Sequence, residues 1–213
     1  MSLAQRLFAI QGVLQSNETV PKLVPYQGWL PDRAPHGLPG EVTATNIRPS
    51  SDGYRPLPGL STQSDALTAR CQGAAAARDT AGAVSYYAGD ASKLYRLAGS
   101  TWSDVSKGGG YSTAADDTWE YALFGSTILA TNLSDAVQGA TIGSGSFADQ
   151  ITSSDKPKAR HIDVVRDFVV LGNTNDTTDG LKPSRLWWGG INSSIDFTPA
   201  ASTQSDYQDL PDG

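Results

Sequence analysis

The chain has 213 residues, of which 22 are Gly and 12 are Pro, and only 18% are charged. Such a density of chain punctuators excludes an architecture of long helices, and no apolar run approaches the roughly 18 residues of a membrane span. The net charge of −6 is uneven: residues 1–70 carry 6 basic and 5 acidic groups, residues 71–213 carry 10 and 17. A protein that grips phosphates broadly needs a Lys/Arg footprint, which is lacking. An acidic surface can still line a passage through which DNA slides, because it repels the backbone.

In chain order, Leu3, Leu7, Ile10 and Leu14 are spaced by four, three and four residues. That spacing predicts a short helix or docking arm over 1–19, weakened by Gly12. Gln5, Arg6 and Gln11 interrupt its apolar stretch, so the segment does not read as a signal peptide. Cys71 is the only cysteine. No disulfide forms within the chain and no Cys-based zinc site is available, which suits a reducing compartment.

Residues 20–79 are predicted to form an extended arm. Eight of the twelve prolines, Pro21, Pro25, Pro31, Pro35, Pro39, Pro49, Pro56 and Pro58, fall in residues 20–60. Each fixes φ and removes a backbone donor. One strand is expected near Val42–Ile47, and the arm is expected to wrap along its own domain or a neighbouring subunit.

From about residue 80 to 213 the texture is β. Val84–Ala88 ends at Gly89-Asp90, Ile128–Ala130 at Thr131-Asn132, and Phe168–Leu171 at Gly172-Asn173. Asp90, Asn132 and Asn173 are 42 and 41 residues apart, a period close to the 40–45 residues or so of four-stranded propeller blades. A second echo reads as strand, glycine turn, short strand. Lys93–Gly99 leads to Trp102–Val105, and Arg185–Gly190 leads to Ile195–Phe197, with a degenerate middle copy at Leu133–Gln138. The predicted fold is mainly β, with about three propeller-like antiparallel blades behind a Pro-rich arm. A closed propeller has about four to eight blades, so three units imply an incomplete ring or part of a longer protein. Residues 205–213 read as a loop before another strand. A β-sandwich with accidental spacing is the alternative.

The candidate chemistry is weak throughout. His161 and Asp163 share one face of a predicted strand over 160–165, but no serine sits in a Gly-x-Ser-x-Gly turn. His36 is a loop residue without visible partners. Asp116, Asp117 and Glu120 could supply paired carboxylates, yet one carboxyl would have to be desolvated, and a polar turn predicts exposure. Asn173–Gly180 is rich in oxygen ligands but lacks the glutamate spacing of an EF-hand, so it reads as a hairpin tip with calcium as the alternative. Gly108–Gly110 follows Lys107 instead of preceding a Gly-Lys-Ser/Thr, so it reads as a flexible turn and not a P-loop. Gly143–Ser146 is likewise linker-like. Trp187 and Trp188 must face opposite ways in a strand; with Trp102 and Trp119 they suit a core and a subunit interface, or a stacking platform for sugars or bases.

Several blocks carry a resemblance. Pro25–Asp32 includes Trp29, Leu30, Pro31 and Asp32. It continues through Pro39-Gly40, through Ala44–Pro49 with Asn46 and Pro49, and through Asp52–Leu60 with Gly53, Tyr54 and Pro56. Lys93–Leu97, Trp102–Ser106, Val164–Asn173 and Arg185–Trp188 follow. Over roughly residues 24–213 the chain resembles tail proteins of tailed bacteriophages, and is similar to the β-propeller tail-nozzle or tail-hub proteins of short-tailed phages. The resemblance implies a homo-oligomeric ring, commonly of six subunits, around the DNA exit channel. It also implies contacts with portal or adaptor proteins and with tail fibres or spikes, assembly in the host cytoplasm, no enzymatic activity and no cofactor. Such proteins run well beyond the length of this chain. The alternatives are a carbohydrate-binding or host-recognition module of a tail fibre, and a propeller-scaffold hydrolase using Asp116, Asp117 or Glu120.

Overall fold

The computed structural model describes residues 45–50, 53–59, 61–153 and 156–211. The expected helix at 1–19, most of the proline-rich arm, Trp29, Leu30, Pro31, Asp32 and His36 lie outside the described residues. The chain divides into two units, 1–61 and 62–213.

Among the described residues, the first unit contains one antiparallel ribbon, β1 (Ile47–Ser50) and β2 (Gly53–Pro56), in register from Ile47↔Pro56 to Ser50↔Gly53. Both strands of a ribbon are edges, which is where Pro49 and Pro56 cost least. Asn46 takes a left-handed φ of 56°, and its carbonyl accepts the Leu57 N–H at 2.7 Å, closing the open end. The strand expected near Val42–Ile47 thus begins only at Ile47 within the described residues.

The second unit is all β. Sheet I comprises β3 (Gly73–Arg78), β4 (Val84–Gly89), β5 (Leu94–Ala98) and β6 (Thr101–Asp104). Sheet II comprises β7 (Glu120–Phe124), β8 (Thr127–Thr131), β9 (Gln138–Thr141) and β10 (Ala148–Asp149). Sheet III comprises β11 (Lys158–Val165), β12 (Phe168–Asp176), β13 (Gly180–Trp188) and β14 (Asp206–Asp209). In each sheet consecutive strands are antiparallel neighbours. Short turns make this meander possible: Gly99 and Gly125 adopt φ of 66° and 59° between β5 and β6 and between β7 and β8.

The three sheets stack through alternate faces, as the period of two dictates. Between sheets I and II lie Ala77, Tyr87, Leu94, Trp119, Ile128, Ala130, Ala140 and Phe147. Between sheets II and III lie Ala122, Leu129, Val137, Ala159, Ile162, Val169, Leu171, Trp187 and Phe197. The first strand of sheet II lies against the first strands of both neighbours. Backbone bonds tie successive sheets as well: Trp119 N–H donates to Gln72 O, and Leu133 N–H to Ala159 O.

Three expectations need correction. Strand β3 lies inside the stretch 20–79 expected as an arm. Its sequence, Gly-Ala-Ala-Ala-Ala-Arg, carries no β-branched or aromatic residue and so no local strand signal; it pairs residue for residue with β4. Ile195–Phe197 is not the short fourth strand of sheet III. Phe197 is fully buried in a loop, and its carbonyl accepts the Trp187 indole N–H at 3.0 Å. The fourth strand is β14, inside the tail expected to be a loop, where Tyr207 opposes Trp187.

Candidate interaction surface

The turns between the second and third strands of the sheets are built alike. Asp90 Oδ1 accepts the N–H groups of Ser92 and Lys93, both at 2.8 Å. Its Oδ2 accepts the Tyr95 hydroxyl at 2.8 Å and the Thr68 hydroxyl at 3.3 Å. Burial alone raises the Asp90 pKa, but these donors outweigh it and hold the carboxyl below its ordinary value. Asn132 Oδ1 accepts Asp135 N–H at 2.8 Å, and its amide donates to Thr113 Oγ1 at 2.8 Å. In sheet III the equivalent residue is Asp176, three positions beyond the expected Asn173. Asp176 Oδ1 accepts Thr178 N–H at 2.9 Å and Asp179 N–H at 2.7 Å. The displacement follows from a bulge at Gly172/Thr174, where Asn173 is left-handed, so that β12 runs on to Asp176.

The oxygen-rich stretch 173–180 serves a cation of the chain itself. The Arg185 guanidinium, 3% exposed, lies 3.0 Å from Asp176, 2.8 Å from Asp179 and 2.6 Å from Asp209. It also packs 4.1 Å from the Tyr207 ring centroid. The hydrogen bond to Asp209 is the largest cause that raises the Arg185 pKa, and the same bond lowers that of Asp209. Among the described residues no three His, Cys, Asp or Glu side chains are grouped to hold a metal ion. In the sequence Arg185 stands only as the first residue of the strand block Arg185–Gly190, although its parity with Trp187 places both on the inward face.

Two carboxylates of the acidic cluster pair with neighbouring residues of one strand, β11. Asp117 accepts from Arg160 at 2.6 Å, and Glu120 Oε1 lies 2.9 Å from His161 Nδ1. Glu120 Oε2 also accepts Ile162 N–H at 3.4 Å. Asp116 is exposed. The carboxylates therefore bridge sheet II to sheet III and do not face each other across a cleft. His161 and Asp163 do share a face of β11, opposite Gly172 and Val170, but Asp163 caps its own neighbour, Val164 N–H, at 2.7 Å.

The tryptophans divide by face. Trp119 is buried; its indole N–H donates to Asp90 O at 2.9 Å, and its ring meets Tyr111 edge-on at 4.9 Å. It fits because Gly73 and Gly89 lack side chains: a Cβ on either would collide with Trp119. Trp102 is half-buried and donates to Ser64 Oγ at 3.1 Å. Trp187 is buried between sheets II and III, whereas Trp188 points away, half-buried, and donates to Gln204 O at 2.8 Å.

The outward faces of the two end sheets carry exposed apolar side chains. Sheet III presents Val165, Phe168, Val170, Leu186 and Trp188, with Val165 55% exposed. Val165, Phe168, Val170 and Trp188 line a shallow groove of about 260 Å³. A second groove of about 420 Å³ runs along the other side of Trp188, past Gln204, Ser205 and Asp206. Sheet I presents Ala74, Ala76, Val84 and Tyr86, the last 51% exposed. No protein-family model matches the chain, and no curated protein matches it significantly.

Proposed function

We propose that the chain is a virion structural protein: a propeller-like subunit of the homo-oligomeric nozzle or hub ring of a bacteriophage tail. The observation that carries this reading is the stack of three four-stranded meanders. Their first strands lie side by side, their second turns repeat, and both end faces remain apolar. Repeating four-stranded sheets around an axis is the propeller solution to edge strands, and the stack supports that reading. The acidic balance of the β unit suits a channel wall that must not retain DNA. Asp117 and Glu120, two of the candidate carboxylates, pair with Arg160 and His161 across sheets II and III. Portal or adaptor proteins and tail fibres or spikes are the further partners of such a ring.

The test is native mass spectrometry with negative-stain imaging of the purified chain, alongside a search for the chain in purified virions. A ring with an axial hole and its presence in virions are expected. A monomer under assembly conditions, together with absence from virions, overturns the reading.

The groove beside Trp188 favours one second reading, a carbohydrate-binding module of a tail fibre, because an indole flanked by amide, hydroxyl and carboxylate groups is what a sugar ring stacks on. It expects saccharide-dependent quenching of tryptophan fluorescence that Trp188→Ala abolishes.

A further inference from the structure

The stack of sheets has a direction. Counting back from the turn residues, Tyr86 and Ala88 precede Asp90 by the same steps as Ile128 and Ala130 precede Asn132. Ile128 and Ala130 form the face that sheet II turns towards sheet I. Along Ala74, Ala76, Val84 and Tyr86, sheet I therefore exposes the same kind of face that sheet II uses internally, whereas the rest of that face, at Ala88 and Tyr95, is buried within the chain. Sheet III presents, on its far side, the opposite kind. A sheet III end face and a sheet I end face are thus the two halves of a junction that the chain already makes twice.

The two free faces also complement each other in shape and charge. Sheet III offers the apolar groove between Val165, Phe168, Val170 and Trp188, and sheet I offers the half-exposed Tyr86 ring beside Val84, 44% exposed. On the sheet III face, Asp163 and Asp206 are exposed and take part in none of the ion pairs among the described residues. On the sheet I face the same holds for Arg78. Burying such a carboxylate at the edge of an apolar patch favours a partner that brings a cation.

We propose that the occupant of each end face is a second copy of this chain, docked head to tail, with sheet III of one copy on sheet I of the other. Tyr86 fills the groove and Arg78 meets Asp163 and Asp206. Two copies then close six sheets into one ring, a number within the range of about four to eight for closed propellers. Heterologous contacts of this kind form a closed particle when the rotation closes. The proposal rests on the propeller-like reading above and names the surfaces that assemble it. A hexameric tail ring would contain three such pairs.

The experiment uses the full chain and two end-face variants, Tyr86→Asp and Val170→Asp, each first shown by circular dichroism to unfold as the parent does. Native mass spectrometry and sedimentation at micromolar concentration should give pairs of the 22.4 kDa chain, or rings built from a whole number of such pairs, for the parent. Each variant alone should be monomeric, because both junctions of a closed pair contain the altered face. An equimolar mixture should associate about tenfold more tightly than either variant alone, since one junction is then intact. In a second arm Arg78→Glu weakens association and Asp163→Lys on the same chain restores it. A monomeric parent overturns the proposal in favour of cover by another segment or protein. Association unaffected by Tyr86→Asp indicates a face-to-face pair and also overturns it, as does a mixture that fails to recover. A pair that behaves as expected in a protein absent from virions overturns the tail reading alone. Virion rings indifferent to both variants overturn the head-to-tail docking alone.

Discussion

Sheets I and III run in the same strand order, but their second turns are closed by different chemistry. In sheet I the buried Asp90 is met by neutral hydroxyls and backbone N–H groups, and Trp119 seals the turn from the next sheet over two glycines. In sheet III the buried Asp176 is met by Arg185, which also gathers Asp179 and Asp209, and the strands are longer, with nine residues each in β12 and β13. The first arrangement depends on close packing. The second depends on keeping a desolvated ion pair complete. One topology therefore tolerates two ways of satisfying the same buried carboxylate.

The largest expected effect tests the packing side. Trp119→Ala removes the ring that joins sheets I and II and empties the space left by Gly73 and Gly89. It should cost about 4 kcal/mol in urea unfolding; a loss below about 1 kcal/mol would mean that the sheets do not rely on this contact. Next comes the ionic side. Arg185→Met leaves Asp176 buried without its cation and should cost about 3 kcal/mol at neutral pH. The gap to the parent should narrow on acidification, because in the parent Arg185 holds the Asp209 carboxyl below its ordinary value and that contribution is lost as Asp209 takes up its proton. A gap that stays constant across pH would show that Arg185 acts by packing alone on Tyr207 and Trp187.

The smallest effect belongs to a surface pair. Burial opposes ionisation of Asp104, but hydrogen bonds from Lys93 and Ser106 outweigh it and hold its pKa at about 2, below the reference value of 3.8. The unfolded state binds more protons in that window, so the stabilisation is present above about pH 4 and lost as pH falls towards about 2. Both partners are over two-fifths exposed, at 44% and 43%, so solvent screening limits the pair to less than about 1 kcal/mol. Asp104→Asn should flatten the acid limb of the stability–pH curve by that amount; an unchanged limb would remove Asp104 from the account.

Much of the strand pattern was legible because it is local. Val84–Ala88, Ile128–Ala130 and Phe168–Leu171 carry aromatic or branched residues that stiffen an extended chain, and each lies in the second strand of a sheet. The glycine turn at Gly99 was legible for the same reason, since only a small residue relaxes at that φ. Strand β3 was not legible, because alanine has no strand preference of its own; the room for Trp119 comes from Gly73 at its start. The turn in sheet III was misplaced by three residues because a bulge changes parity without changing composition. The carboxylates at 116–120 read as one cluster, yet Asp117 and Glu120 find Arg160 and His161 some forty positions away.

The sequence by itself determined the all-β class and the opposite facing of Trp187 and Trp188, because propensity and the period of two act between near neighbours. Only the tertiary structure decided the β14 edge, the gathering of three carboxylates around Arg185, the seam between β7 and β11, and which faces stay uncovered. Those features depend on pairing between distant segments, whose energies come from desolvation and packing that no local stretch encodes.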